Sequence, residues 1–291
     1  MKRIINLLTI CFIANLTFAQ NVDESGNVTD SYQKKSKNES FQKLKSIKSN
    51  NPVIIKSIPS PTTSTNDIAF DGMCLWQASN DSLIYKISLL DGSVLKTIPI
   101  NTNYASGLSF DGNSLWVSDR TNQLLLQIDT SNGIVQQQFQ LNNDGAAGLA
   151  WDNSNLWLNN NKYGGSYGDT TFNISSTSGE ILDYFLPHGS QPGGLAFDGQ
   201  YLWSTDRLSD QIYRIDLSSY SVIDTIDAPG GDHPNGLAFD GQYLWVADND
   251  LDSIYQIDIG FIPDGISDRP ISSNRISVYP NPSSGSFIFR V

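Results

Sequence analysis

One ten-residue phrase occurs five times in this chain, as DIAFDGMCLW, GLSFDGNSLW, GLAWDNSNLW and, twice, GLAFDGQYLW. The copies end at Trp76, Trp116, Trp157, Trp203 and Trp245, so their spacings are 40, 41, 46 and 42 residues. A period near 40 with several short strands in each unit predicts a β-propeller, one four-stranded blade per repeat. The fourth copy shows how. Residues 194–198 (GLAFD) are short, apolar and glycine-flanked, which suits an innermost strand, and Asp198-Gly199 offers the positive φ that a tight hairpin needs. Residues 201–205 and 211–215 follow as second and third strands, and 221–226 as the outer one, before a Pro/Gly-rich return from Pro229 to Pro234. No helical periodicity interrupts the region. The fold class expected is all-β.

The fifth copy has a third strand, residues 253–258 (SIYQID), and no fourth behind it. A matching strand stands at the other end of the domain. Ile54 to Pro59 (IIKSIP) aligns on Val94 to Pro99 (VLKTIP) at an offset of 40, the offset that carries Trp76 onto Trp116. Residues 53–59 are therefore expected to complete the last blade and close a five-bladed propeller over residues 52–260. An open ring would instead leave unpaired strand edges, an aggregation hazard.

The flanks carry signals of their own. Lys2 and Arg3, an apolar stretch from Ile4 to Ile13 and the small-residue site Thr17 to Ala19 read as a signal peptide over residues 1–19. The apolar run is too short for a spanning helix. Residues 20–51 are polar and poor in large apolar side chains, as a flexible spacer would be. Cys74 is the one cysteine beyond the signal peptide, so no intramolecular disulfide is expected; its place before Leu75 and Trp76 suggests a buried thiol. The net charge is −12, and several basic residues fall in the spacer, which leaves the propeller decidedly acidic. Nucleic acid and anionic membrane are poor partners for such a surface. After a linker at 261–275, residues 276–291 (ISVYPNPSSGSFIFRV) carry Tyr279, Pro280, Asn281, Pro282, Gly285 and Phe287. This resembles the opening of a type A sorting domain of the type IX secretion system, a small β-sandwich several times longer than this segment. The resemblance implies a truncated C-terminal sorting domain and a Bacteroidetes-type route: Sec export through the periplasm, then the type IX machinery, ending secreted or on the outer-membrane surface.

Repeat geometry sorts the loops onto two faces. One face collects the minimal turns, Asp71-Gly72, Asp111-Gly112, Asp198-Gly199 and Asp240-Gly241 among them. The other collects the second-to-third loops and the blade-to-blade returns, which differ between copies, and a site is expected there and at the channel mouth. Three residues after each Trp stand Ser79, Asp119, Asn160, Asp206 and Asp248. In a closed ring these would point toward the axis, as oxygen ligands for Ca²⁺ or another divalent cation (metal candidates Asp119, Asp206 and Asp248) or as acceptors for a sugar. The competing role is to anchor their own loops, which Asx side chains do by accepting backbone N–H bonds; repetition in every blade favours it. Blade three has the longest such loop, residues 159–169, whose Tyr163 and Tyr167 suit a sugar or peptide platform. His188 and His233, the only histidines, both lie in returns on that face. Asp248, Asp250 and Asp252 have a calcium-loop rhythm without the Gly and Glu of an EF-hand.

The copies resemble NHL, YVTN and SMP-30-like propeller repeats, a resemblance that spans the propeller and is shared by many functions. SMP-30-like lactonases use a glutamate among the ligands of a central metal, and five-bladed glutaminyl cyclases depend on an acidic channel residue, typically glutamate. Here Glu24 and Glu39 lie in the spacer and Glu180 beside a turn on the opposite face. Acid–base chemistry would fall to Asp119, Asp206 or Asp248. The reading that leads is a binding module for a glycan, peptide or protein; a hydrolase, lactonase or lyase with a divalent cation at the channel mouth stands second.

Overall fold

The computed structural model describes residues 52–260 except 103, 142–144, 162–168 and 231–232. The signal peptide, spacer, linker, sorting segment, Tyr163 and Tyr167 lie outside the described residues. Twenty strands form five four-stranded sheets. Strand β1 (Val53–Pro59) comes first in the chain but last in the ring. Blade one is β2 (Thr65–Phe70), β3 (Leu75–Ser79), β4 (Leu83–Ile87) and β5 (Val94–Pro99). Blade two is β6 (Ala105–Phe110), β7 (Ser114–Asp119), β8 (Leu124–Asp129) and β9 (Val135–Gln140). Blade three runs β10 (Ala146–Trp151), β11 (Leu156–Asn160), β12 (Thr170–Ile174) and β13 (Ile181–Phe185). Blade four runs β14 (Pro192–Phe197), β15 (Tyr201–Asp206), β16 (Gln211–Asp216) and β17 (Ser221–Asp227). Blade five has β18 (Pro234–Phe239), β19 (Leu244–Asp248), β20 (Ser253–Asp258) and then β1. The pairing of β1 with β20 is antiparallel, from Val53 opposite Asp258 to Pro59 opposite Ser253, and it closes the five-bladed propeller as the repeat arithmetic requires.

The repeated phrase holds each blade through one hydrogen-bonded unit. Its Asp begins the inner turn and accepts amides two and three residues on; Asp198 Oδ1, for example, takes the N–H groups of Gln200 at 2.9 Å and Tyr201 at 2.7 Å. The second carboxylate oxygen accepts the indole N–H of the Trp five residues on, at 2.8–2.9 Å in every blade. The turn itself needs a left-handed residue: Gly199 has φ 97°, and in blade three, which has no glycine there, Asn153 adopts φ 76°. The tryptophans are thus more than fillers of the blade interfaces. They are core side chains whose one polar atom is satisfied by the turn that begins their own hairpin.

The core sits between blades. Trp76, Ala78 and Ile84 of blade one pack with Leu108, Val117 and Ile128 of blade two. Ile58 of β1 joins Trp245 and Ile254 of blade five against Ile68 and Leu75 of blade one, so the closing strand also fills the seam between the last blade and the first. Cys74 departs from expectation. It is half-buried in the turn before β3, where its amide donates to Asp71, because the strand begins one residue later, at Leu75.

Candidate functional site

The innermost strands decide what the axis looks like. In every blade the pairing of the innermost strand with the second shifts register near its start, between Thr65 and Asp67, Ala105 and Gly107, Ala146 and Leu149, Pro192 and Leu195, and Pro234 and Leu237. Such a bulge releases backbone amides from the ladder. Asp67, fully buried, collects them. Its Oδ1 accepts from the amides of Ile68 and Leu237, at 3.0 and 3.2 Å, and its Oδ2 from those of Leu108 and Leu149, at 2.9 and 3.1 Å. One carboxylate therefore ties together blades one, two, three and five. Burial pushes its pKa well above the usual carboxylate range, with the four amides pulling the other way.

The other four repeats carry glycine at the position of Asp67, and the packing says why. A Cβ on Gly148 would lie 2.4 Å from Gly194 Cα, and one on Gly236 would lie 2.7 Å from Asp67 Cα. The axis has room for a single side chain. The first copy begins with Asp where its siblings begin with Gly, and that difference is the signal in the sequence that marks this residue.

The ring of polar residues after the tryptophans behaves otherwise than expected of residues converging on the axis. All five are buried, and the contacts they make hold loops. Asp119 accepts from the amides of Thr121 and Asn122, both at 3.0 Å, and from the Asn122 side chain. Asp206 accepts from the Gln191 amide at 2.8 Å and the Ser209 hydroxyl at 2.7 Å, and Asp248 from the amides of Asp250 and Leu251. Gly189 and Gly230, with φ near 94° and 93°, let the returns press onto Asp206 and Asp248; a Cβ on either would stand within 2.3 Å of a carboxylate oxygen. Asn160 lies at the end of β11, paired across the ladder with Ala146 and Thr170, and Ser79 donates to the Ser64 carbonyl. Among the described residues no group of three or more His, Cys, Asp or Glu side chains is placed to hold a metal ion, so Asp119, Asp206 and Asp248 do not assemble as a cation site.

The two histidines have separate surroundings. His188 is buried beside Phe185 and Tyr213, with Nε2 3.0 Å from the Tyr220 carbonyl oxygen. Burial lowers its pKa, and the carbonyl opposes that shift. His233 is exposed, with Nδ1 2.9 Å from Asp250.

The loop face does carry a pocket, built from residues one step beyond the polar ring. Tyr104, Arg120, Thr121, Asn161, Gln191 and Arg207 line a cavity of about 600 Å³. Tyr104 and Gln191 immediately precede or closely approach the innermost strands of blades two and four; Arg120, Asn161 and Arg207 directly follow the second strands of blades two, three and four. All belong to the open ends of inner hairpins, so the pocket lies at the channel mouth opposite the Asp-Gly turns. The backbone fixes the pairs: the Arg120 amide donates to Tyr104 O and the Arg207 amide to Gln191 O, each at 3.0 Å. Arg120 also reaches across a blade boundary, Nη2 to Asn161 O at 2.8 Å, and Asn161 Nδ2 donates to Pro192 O at 3.2 Å. Burial lowers the pKa of Arg207, and the Arg120 charge adds to that, against opposing effects of Tyr104 and Asp250; a guanidinium stays charged regardless. These residues lie on the face where a site is expected, and none of them is among the candidates that the motifs single out. The signal was present four residues after each Trp, where Asn80, Arg120, Asn161, Arg207 and Asn249 alternate amide and guanidinium.

The chain matches no family model and no curated protein. The NHL-like and sorting-domain resemblances accordingly rest on the quoted motifs alone. Among solved structures the chain is similar to the glutaminyl cyclase of Myxococcus xanthus, at 15% identity and TM-score 0.60, over 72% of this chain and 97% of that one. At that identity the likeness is one of fold.

Proposed function

We propose that this chain is a ligand-binding propeller that takes a polar ligand in the pocket at the channel mouth. The observation that carries the reading is the lining. Six side chains or their backbone partners from blades two, three and four present hydroxyl, amide and guanidinium groups around one cavity, with no carboxylate or histidine among the described lining residues. That supply suits recognition through hydrogen bonds. The glutaminyl cyclase likeness does not alter the reading, because Asp67, the carboxylate at the axis, is fully buried and occupied by four backbone amides. The signal-like N-terminus and the sorting-like C-terminus support export, with type IX machinery as the last step.

The test is a thermal-shift screen of the full chain against soluble glycans and short peptides, followed by Thr121→Trp. The Thr121 side chain stands exposed on the rim, and Asp119 holds this residue by its backbone amide. A pocket ligand should raise the melting temperature of the wild type, and the indole should abolish that rise without lowering the melting temperature of the free protein. A ligand whose shift survives the substitution binds elsewhere, and the assignment of this pocket would fail.

A further inference from the structure

We infer that the pocket takes an acidic, polyhydroxylated ligand, an oligosaccharide of the uronate class, with Arg120 and Arg207 receiving its carboxylate. The inference rests on the pocket being the binding site and specifies what it binds. Two of the three arginines among the described residues stand in this one cavity. The third, Arg214, is already engaged: it lies 3.7 Å from Asp198 and stacks over Tyr201 and Trp203. Arg120 and Arg207 differ. Among the described residues neither has a carboxylate within ion-pairing distance, and Arg207 Nε is buried without a hydrogen-bond partner. Gly193 on β14 clears the space beside the Arg207 stem; a Cβ there would lie 3.3 Å from Arg207 Cγ.

Arg207 loses solvation by burial and also faces the Arg120 charge, with Tyr104 and Asp250 opposing only in part, and an anion bound between the two guanidinium groups would offset both costs. A planar carboxylate is the group a guanidinium fork fits best. The rest of the lining selects between carriers of that group. Tyr104, Thr121, Asn161 and Gln191 are hydrogen-bonding residues, and among the described lining residues none is aliphatic, which disfavours an apolar peptide side chain. Sugar hydroxyls find hydroxyl and amide groups. A cavity of about 600 Å³ falls within the range of small-ligand sites and leaves room for more than one sugar ring.

Titration calorimetry of the full chain with a short oligogalacturonide, its carboxyl-reduced neutral counterpart and an acidic peptide tests this. The uronate should bind on the order of tenfold or more tightly than the neutral sugar and should weaken as salt is added. Arg207→Gln and Arg120→Gln should each weaken uronate binding far more than neutral-sugar binding and so remove most of that preference, and Arg207→Lys should recover part of it. The salt dependence is read on the wild type, so the test survives a variant that fails to fold. Equal affinity for the two sugars, unaffected by either glutamine, would overturn the anion inference and leave the pocket as a neutral-sugar site. Binding of the acidic peptide with no binding of either sugar would overturn the glycan class. A sugar whose binding survives Thr121→Trp would remove the pocket reading itself.

Discussion

Replacing Asp67 by Asn changes one atom at the axis of the propeller. The carboxylate accepts four amide N–H bonds, two at each oxygen: Ile68 and Leu237 on one side, Leu108 and Leu149 on the other. An asparagine keeps one acceptor. Whichever way its amide turns, an NH₂ group then faces two backbone N–H donors, and two buried donors lose their acceptor. Leaving a buried donor unsatisfied costs about 1–3 kcal/mol, so two cost about 2–6 kcal/mol. A domain's whole stability is about 5–15 kcal/mol. Asp67→Asn should therefore lower the urea midpoint of the full chain by a large fraction, read by tryptophan fluorescence. The slope of the transition should stay close to that of the wild type, since the surface exposed on unfolding hardly changes. Asp67→Gly, which gives blade one the residue of its four siblings, leaves a gap that a water can enter and replace part of the acceptor. Its cost should not exceed that of the isosteric Asn. An Asn variant within about 0.5 kcal/mol of wild type, the ordinary range for a surface substitution, would refute the claim that this carboxylate holds the blades together at the axis.

Four other expectations follow from the same geometry. Ile58→Ala, in the closing strand and buried against blades one and five, should cost about 2–5 kcal/mol, whereas Ile55→Ala, exposed on the same strand, should stay within about 0.5 kcal/mol; denaturant titration of both variants checks it. Gly148→Ala should cost about 1–3 kcal/mol, although the new methyl is apolar, because it meets the backbone of Gly193 and Gly194; equal stability would show that the axis can widen. Asp198→Ala should cost about 2–4 kcal/mol and alter the Trp203 emission, since it removes the acceptor of the indole and two turn amides at once. His188 supplies the pH dependence. Burial holds its folded pKa below 6.5, so the unfolded chain takes up the proton first. Its contribution is fully present above pH 6.5 and is lost as pH falls from there toward the folded value; melting temperatures of wild type and His188→Phe should converge or cross over that window.

The ring was legible because it is periodic. The offset of 40 that maps Val94 onto Ile54 specifies the partner of β20 without any knowledge of space, and the Asp-to-Trp spacing of five specifies the clamp. Side-chain direction is another matter. Asp119, Asp206 and Asp248 recur at one position of the repeat, and recurrence favours loop anchors over an axial ring without deciding between them. What decides is the reach of a short side chain at the end of a strand. Amides two and three residues onward in the same loop, or in the return that Gly189 and Gly230 bring close, stand within hydrogen-bond reach of these carboxylates.

The positions where the repeats disagree are the informative ones. A residue that maintains a blade recurs from blade to blade, so the periodic Asp and Trp, with the left-handed turn residue between them, report on folding. A residue at the axis is excluded from every blade but one, since five inner strands meet there; hence Asp67 among four glycines. A pocket at the channel mouth is shared by several blades but not by all, so its residues alternate. Arg120 and Arg207 break a series otherwise made of asparagine, and they face one cavity. The departures from the repeat therefore separate into one that seals the centre and two that charge its rim. It follows that restoring the series with Arg120→Asn and Arg207→Asn should leave the five blades standing while emptying the pocket of its charge.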